Sequence, residues 1–228
     1  AAAVAAGLQD GGLGRERALA HAAAIVAATD LPVAADLENG FGDAPETAAE
    51  TIRLAAGVGL VGGSIEDASG DAAHPLYEFD HAVARVAAAA AAARALPFPF
   101  TLTARSECFL RGRPDLDETI RRLRAFEQAG ADVLFAPGLP DLAAVRAVVA
   151  AVGKPVNFMV ALPGASFSIA ELQAAGVRRV SLATSLYRAA MTGMVDAARE
   201  VRESGTFGFV DRVLATSELI GMRRTAGG

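Results

Sequence analysis

Short apolar runs alternate along the chain with longer alanine-rich stretches of helical period, and little loop is left between them. The runs near 31–37, 60–66, 98–104, 132–136, 154–160 and 178–184 are nearly continuous in apolar residues, as strands covered on both faces are. Residues 15–28, 46–57, 78–95, 116–129, 140–151 and 168–175 read as helices, with a final helix over 185–203. The punctuation agrees. Asp43 with Pro45 and Glu46 reads as a helix start, and Asp115 with Glu118 as a capping pair. Ile120, Leu123 and Phe126 then recur on one face, and Gly130 and Gly176 sit where helices should stop.

Strands alternating with helices mean a parallel sheet covered by helices, in an open doubly wound sheet or a closed barrel. We favour a (β/α)8 TIM-type barrel, because candidate acids close consecutive strands, where barrel enzymes keep their sites. No glycine fingerprint for dinucleotides follows the first clear strand. Six strands are two short of closure, and residues 1–6 are read as the tail of another. Either the first barrel units lie outside this chain or the closure is unusual. The reading assigns 1–205 to the barrel and 206–228 to a helical tail, whose Val210, Val213 and Leu214 form an apolar stripe. That stripe packs either against the barrel's bottom or onto a neighbouring subunit.

The chain has 228 residues, 53% of them hydrophobic, and a net charge of -5 with acids and bases intermixed. Nothing in that pattern points to nucleic acid or an anionic membrane as partner. One cysteine excludes an intrachain disulfide and fits a reducing cytoplasm. The most apolar stretch, Val86 to Ala93, is bracketed by Arg85 and Arg94 and is far short of the roughly 20 residues that span a bilayer. The chain is expected to be soluble and cytoplasmic.

Chemistry concentrates at the strand ends. Asp36 and Glu38, two apart, are expected on one side of their strand, with Gly40 and Gly42 leaving backbone room for a ligand. Like charges this close call for a cation or a proton, unless they merely cap a helix or pair with arginines. Glu66 shares parity with Gly62 and Ser64 and is read as facing the site, while Asp67 starts a loop or pairs with a base behind the strand. Arg105 and Glu107 also share parity. The guanidinium suits a carboxylate or phosphonate, or else is tied to Glu107 as a rim salt bridge, and both roles are compatible. Asn157 is a buried amide that needs partners, from a substrate or from neighbouring backbone. Cys108 reads as core filler, and His74 and His81 as incidental.

Four pieces, Ala35-Asp-Leu-Glu-Asn-Gly-Phe-Gly42, Ser64-Ile-Glu-Asp67, Thr103-Ala-Arg-Ser-Glu-Cys-Phe109 and Ala129-Gly-Ala-Asp132, together resemble the isocitrate lyase and phosphoenolpyruvate mutase superfamily. They follow its order and spacing from about residue 7 to residue 205. The resemblance implies a (β/α)8 barrel in a homo-oligomer, usually a tetramer, whose C-terminal helix exchanges with a neighbour. It implies Mg2+, with Mn2+ as the alternative, bound directly by Asp36 and through water by Glu38, Glu66 and Asp10. Arg105 matches the substrate-binding arginine and Asn157 a polar pocket residue of the lyase branch; Gly40 joins them as a candidate substrate contact, and Glu66 and Glu107 as candidate catalytic acids. Three departures stand out. Glu38 replaces an aspartate, the loop Ala68-Ser-Gly-Asp-Ala-Ala-His-Pro-Leu76 lacks both the lyase cysteine and the mutase lysine and asparagine, and the first family strands are not in this chain.

The implied activity is Mg2+-dependent cleavage or formation of a C–C bond next to a 2-oxo or 2-hydroxy carboxylate, through an enolate. The missing loop cysteine moves the expectation from a strict isocitrate-type lyase toward a decarboxylase, a hydrolase or a broad 2-oxo dicarboxylate lyase. Alternatives are a phosphonopyruvate or carboxyphosphonoenolpyruvate-type phosphonomutase or hydrolase, an oxaloacetate decarboxylase, and a non-catalytic 2-oxo acid binder. A phosphosugar enzyme is more distant, resting on Val58-Gly-Leu-Val-Gly-Gly63 and the strand near Val180.

Overall fold

Backbone pairing puts the strands in chain order. β1 (Ala34–Asp36), β2 (Gly62–Glu66), β3 (Thr101–Arg105), β4 (Val133–Phe135), β5 (Val156–Met159) and β6 (Arg179–Ser181) form one six-stranded parallel sheet in which each pairs only with its neighbours in sequence. The computed structural model describes residues 2–9 and 11–222. Sequential parallel order with a helix in each crossover is the wiring of a (β/α) barrel, here partial. The connecting helices are α3 (Pro45–Gly57), α4 (Phe79–Arg94), α5 (Leu116–Ala129), α6 (Leu142–Ala151) and α7 (Ile169–Ala174). Before β1 come α1 (Ala2–Ala5) and α2 (Arg15–Ala27). Residues 2–5, expected as the tail of a strand, are therefore helical: a run of alanines with one valine satisfies its own backbone locally, as alanine favours.

The core lies on the helix-facing side of the sheet. Ile65, Leu102, Ala104, Leu134, Val156 and Phe158 alternate with site-facing residues, and all are buried in one cluster with Ile52, Val86, Leu123, Phe126, Val145 and Val148 of the helices. Alanines at 82, 89, 90, 92 and 93 on α4 are buried too, because a small side chain lets adjacent helices approach closely.

The stop and start signals act as the sequence implies, with one exception. Asp115 accepts a hydrogen bond from the Glu118 backbone N–H at 3.0 Å, and Gly130 ends α5 in the left-handed region at φ 110°. A Cβ at Gly130 would also strike the Arg94 guanidinium. Ser168 and Glu171 make a full capping box at α7. Asp43 is the exception. Ala44 is the N-cap of α3, and Asp43 instead meets the Tyr77 hydroxyl.

The chain divides after Ser181 into two compact units. The second holds α8 (Ser185–Ser204), a 3-10 turn (Gly208–Arg212) and α9 (Thr216–Gly221). Glu200 ties the turn back to α8, accepting from Thr206 Oγ1 at 2.9 Å and from the Gly208 N–H at 2.5 Å. The expected helical stripe of Val210, Val213 and Leu214 is broken here. Val210 sits in the 3-10 turn, while Val213 is extended and lies before α9 with Leu214, and all three are exposed. No helix among the described residues is long and apolar enough to cross a membrane.

Replacing Asp115 with alanine removes the cap of α5 and is expected to cost about 1 kcal/mol, lowering Tm by about 2–4 °C in a thermal melt.

Candidate active site at the C-terminal edge of the sheet

Register places the chemistry in rows. Glu66, Arg105, Phe135, Asn157 and Arg179 are successive partners across five strands. Two residues earlier on the same face run Asp36, Ser64, Thr103 and Val133. The face opposite the apolar core is thus mostly polar, and its carboxylates and guanidinium stand at the ends of β1, β2 and β3.

Arg105 is the hub. Its Nη1 lies 3.0 Å from Asp36 Oδ2 and 3.3 Å from Glu66 Oε2, and its Nε donates to Glu107 Oε1 at 2.5 Å. The guanidinium also lies over the Phe135 ring, 5.3 Å from its centroid. Arg111, from the segment after β3, meets the other oxygens of the same two acids: Nη2 to Glu66 Oε1 at 3.4 Å and Nε to Glu107 Oε2 at 3.2 Å. Arg105, Glu66, Arg111 and Glu107 therefore close a ring of alternating charge. Glu107 Oε2 is buried without a well-aligned hydrogen bond, so the Arg111 ion pair is what offsets its charge.

These surroundings shift proton affinities. Burial, only partly countered by Arg105 and with Glu107 and Asp36 adding repulsion, pushes the Glu66 carboxyl up to about 8. Burial disfavours the charged form of Arg105, but Glu66, Asp36 and Glu107 outweigh it and hold the guanidinium charged above its ordinary range.

Two buried arginines frame the cluster. Arg122 of α5 pairs with Asp67 at 3.1 Å, and Asp67 Oδ1 accepts from the Glu107 backbone N–H at 2.7 Å, anchoring the residue that orients Arg105. Asp67 thus pairs with a base behind the strand, and burial raises its carboxyl to about 6 although Glu107 N–H and Arg122 oppose that. Arg85 of α4 donates to the Gly42 carbonyl at 2.7 Å and to the carbonyls of Asn39 and Asp43, and it stacks on Tyr77. The loop it clamps is strained, with Glu38 at φ 51° and Phe41 at φ 60°. That conformation revises the parity of the first acidic pair. β1 ends at Asp36 and the backbone turns at Glu38, whose N–H bonds back to Asp36 Oδ1, so the two carboxylates are placed by a turn and not by strand alternation. Gly40 is tightly packed, since a Cβ there would lie 3.0 Å from Ala48 Cα.

Asn157 is fully engaged: its amide donates to Ser181 Oγ and accepts from Arg179 Nη1, both at 3.0 Å. Its partners are neighbouring side chains rather than backbone. Cys108 is buried core. His74 pairs with Asp71 in its own loop, and His81 with the Asp43 carbonyl. Asp10 lies outside the described residues. Arg111, Arg122, Arg85 and Arg179 escape a reading by strand parity because three stand on helices or loops and the fourth starts a weak strand. Only the four-residue step from Glu107 to Arg111 hinted at a pair.

A divalent ion suits this donor set. Among the described residues no three acid, histidine or cysteine side chains form a ready cage. A hard ion that keeps several waters, as Mg2+ does, needs only one or two carboxylates. Asp36 is the acid open to one, with 58% of its side chain exposed, and a dication beside the buried Glu66 would offset the repulsion there.

The phosphoenolpyruvate phosphomutase family model matches residues 1–202. The chain belongs to that family. Within the wider phosphoenolpyruvate mutase/isocitrate lyase superfamily it is similar to a Burkholderia cenocepacia protein provisionally assigned as a lyase/mutase, at 54% identity and TM-score 0.94 over 96% of this chain and 79% of that one. A solved 2,3-dimethylmalate lyase of the superfamily is 27% identical, with TM-score 0.82, over 96% of this chain and 78% of that one. An oxaloacetate decarboxylase of Paraburkholderia xenovorans is 32% identical over 184 residues, 78% of this chain and 59% of that protein. The chain spans two thirds or less of the length of the curated relatives it matches.

Substituting Arg85 by methionine keeps the bulk but leaves the carbonyls of the 39–43 loop without donors. It is expected to destabilise the fold by about 3 kcal/mol, read as a lower denaturant midpoint at unchanged m-value.

Proposed function

We propose that this phosphomutase-family chain is a divalent-metal-dependent lyase that breaks, or in reverse forms, a carbon–carbon bond next to a 2-oxo or 2-hydroxy carboxylate. The observation that carries this reading is Arg105: one guanidinium, 12% exposed, at the C-terminal edge of a parallel sheet and surrounded by Asp36, Glu66 and Glu107. The relatives support it, since 2,3-dimethylmalate and oxaloacetate, which two of them are named for, are small dicarboxylates.

In this reading Arg105 forks onto the substrate carboxylate and fixes the direction of the scissile bond. Glu107 holds Nε, so the plane of the guanidinium is set before substrate arrives. Asp36, with Glu38, Glu66 and, as the family resemblance implies, Asp10, would hold Mg2+ or Mn2+, which when bound supplies positive charge against the negative charge that grows on the 2-oxo oxygen. Asn157, secured by Ser181 and Arg179, stands beside Phe135 in register on the same face as Arg105.

Among the described residues, neither the 68–76 loop nor Glu107 offers a free donor for the proton that quenches the enolate. Ser69, Asp71 and His74 of the 68–76 loop bond to one another within that loop, and Glu107 is fully buried between two arginines. Water takes that role. A reaction that loses CO2 and leaves an enolate for water to protonate asks least of this loop, so decarboxylation of a 2-oxo dicarboxylate is the favoured case. A homo-oligomer belongs to the same proposal, with exposed Leu186, Phe207 and Val210 of the second unit covered by another copy.

Changing Arg105 to lysine keeps the charge but loses the fork, and kcat/KM for oxaloacetate is expected to fall by about 100-fold or more with circular dichroism unchanged. An unaltered kcat/KM would remove Arg105 from the site, and turnover of phosphonopyruvate but not oxaloacetate would move the chain to C–P chemistry. Asp36→Asn is expected to abolish Mg2+-dependent turnover in a metal titration; full wild-type activity in EDTA would contradict the metal assignment.

A further inference from the structure

A cavity of about 570 Å³ opens at the other edge of the sheet, where the strands begin. Thr101, the first residue of β3, lines it, whereas Arg105 ends that strand, so about 13 Å of extended chain separates the cavity from the charged cluster. Its size is that of small-molecule sites, roughly 300–1,000 Å³. Ala90 and Ala93 of α4 leave the space open, and Phe98 and Phe100 wall it. Pro97 and Pro99 each fix their own φ and stiffen that wall, so little order has to be imposed when a ligand enters.

Two charges of opposite sign also line the cavity, Arg94 at the end of α4 and Asp132 just before β4. Each is tied on one side to backbone. Arg94 Nη2 donates to the Gly130 carbonyl at 3.0 Å, and Asp132 Oδ2 accepts from the Leu102 N–H at 2.9 Å. The guanidinium lies against the Gly130 backbone, where a Cβ would strike it. Among the described residues Arg94 and Asp132 form no ion pair with each other, and Arg94 Nη1 and Asp132 Oδ1 make no further hydrogen bond. Both side chains are exposed, so a ligand reaches them from solvent.

We infer that this cavity binds a small zwitterion with an apolar side chain, of the chemical class of phenylalanine- or leucine-type α-amino acids. A ligand that fills it takes water from both charges, which is costly for either one left unpaired. A simple anion would meet Arg94 but be repelled by Asp132, and a simple cation the reverse. A neutral apolar molecule would leave both without partners. A carboxylate on Arg94 and an ammonium on Asp132 satisfy the two together, while the apolar part lies against the phenylalanine and proline wall. The site is separate from the lyase chemistry and stands whether or not that reading holds.

L-Phenylalanine, 3-phenylpropionate and 2-phenylethylamine share one ring and differ in which charges they carry, so calorimetric titration of the whole chain with each tests the inference. The wild-type protein is expected to bind phenylalanine at least about tenfold more tightly than either analogue, the worth of one charge-assisted contact. Arg94→Gln should bring phenylalanine down to the wild-type affinity for 2-phenylethylamine, and Asp132→Asn down to that for 3-phenylpropionate. Arg105→Lys, at the far edge of the sheet, should leave phenylalanine affinity unchanged. Equal wild-type affinities for the three ligands, or no phenylalanine binding at millimolar concentration, would overturn the inference without recourse to any variant. Loss of phenylalanine binding in Arg105→Lys would overturn it too, by moving the ligand to the candidate active site.

Discussion

A single positive charge shared among carboxylates organises this molecule. Asp36, Glu66 and Glu107 come from three segments distant in sequence, and without a cation between them their proximity would be repulsive. Arg105 makes it favourable, and Arg111 closes the arrangement from outside. Removing one partner from such a buried network leaves the others uncompensated, which typically costs several kcal/mol. The cluster is therefore part of the scaffold as well as the candidate site.

Around it stands a second tier of buried charge. Asp67 and Arg122 fix the backbone of Glu107, and Arg85 with Tyr77 fixes the turn after β1. Both arginines project from helices toward the ends of strands. The apolar faces of α4 and α5, packed on the sheet, thus aim these polar groups at the loops. Packing on one side of the sheet and preorganisation on the other are one construction.

Much of this was legible in the chain. The spacing of apolar runs predicts six strands and their helices, since period and punctuation are local properties. Parity predicts that Glu66 lies on the face opposite Asp67, that Asp67 starts a loop or pairs with a base behind the strand, of which the Arg122 pair shows the second, and that Arg105 and Glu107 share a side. The same rule misleads at Glu38, where the strand has already ended and the backbone turns through a left-handed conformation. It misleads for Val210, Val213 and Leu214 as well, because apolar spacing alone does not reveal that a 3-10 turn and an extended link divide them.

Amino-acid order alone determined the alternating architecture, the family and the acids and arginine at the ends of β1 to β3, because each depends on residue type at short separation. Tertiary structure decided which charges meet. Arg111 opposite Glu66, Arg122 behind Asp67, Arg85 over the 39–43 loop and Arg179 on Asn157 are contacts across 22 to 55 positions. Such pairings are set by strand register and helix packing, which no local pattern encodes.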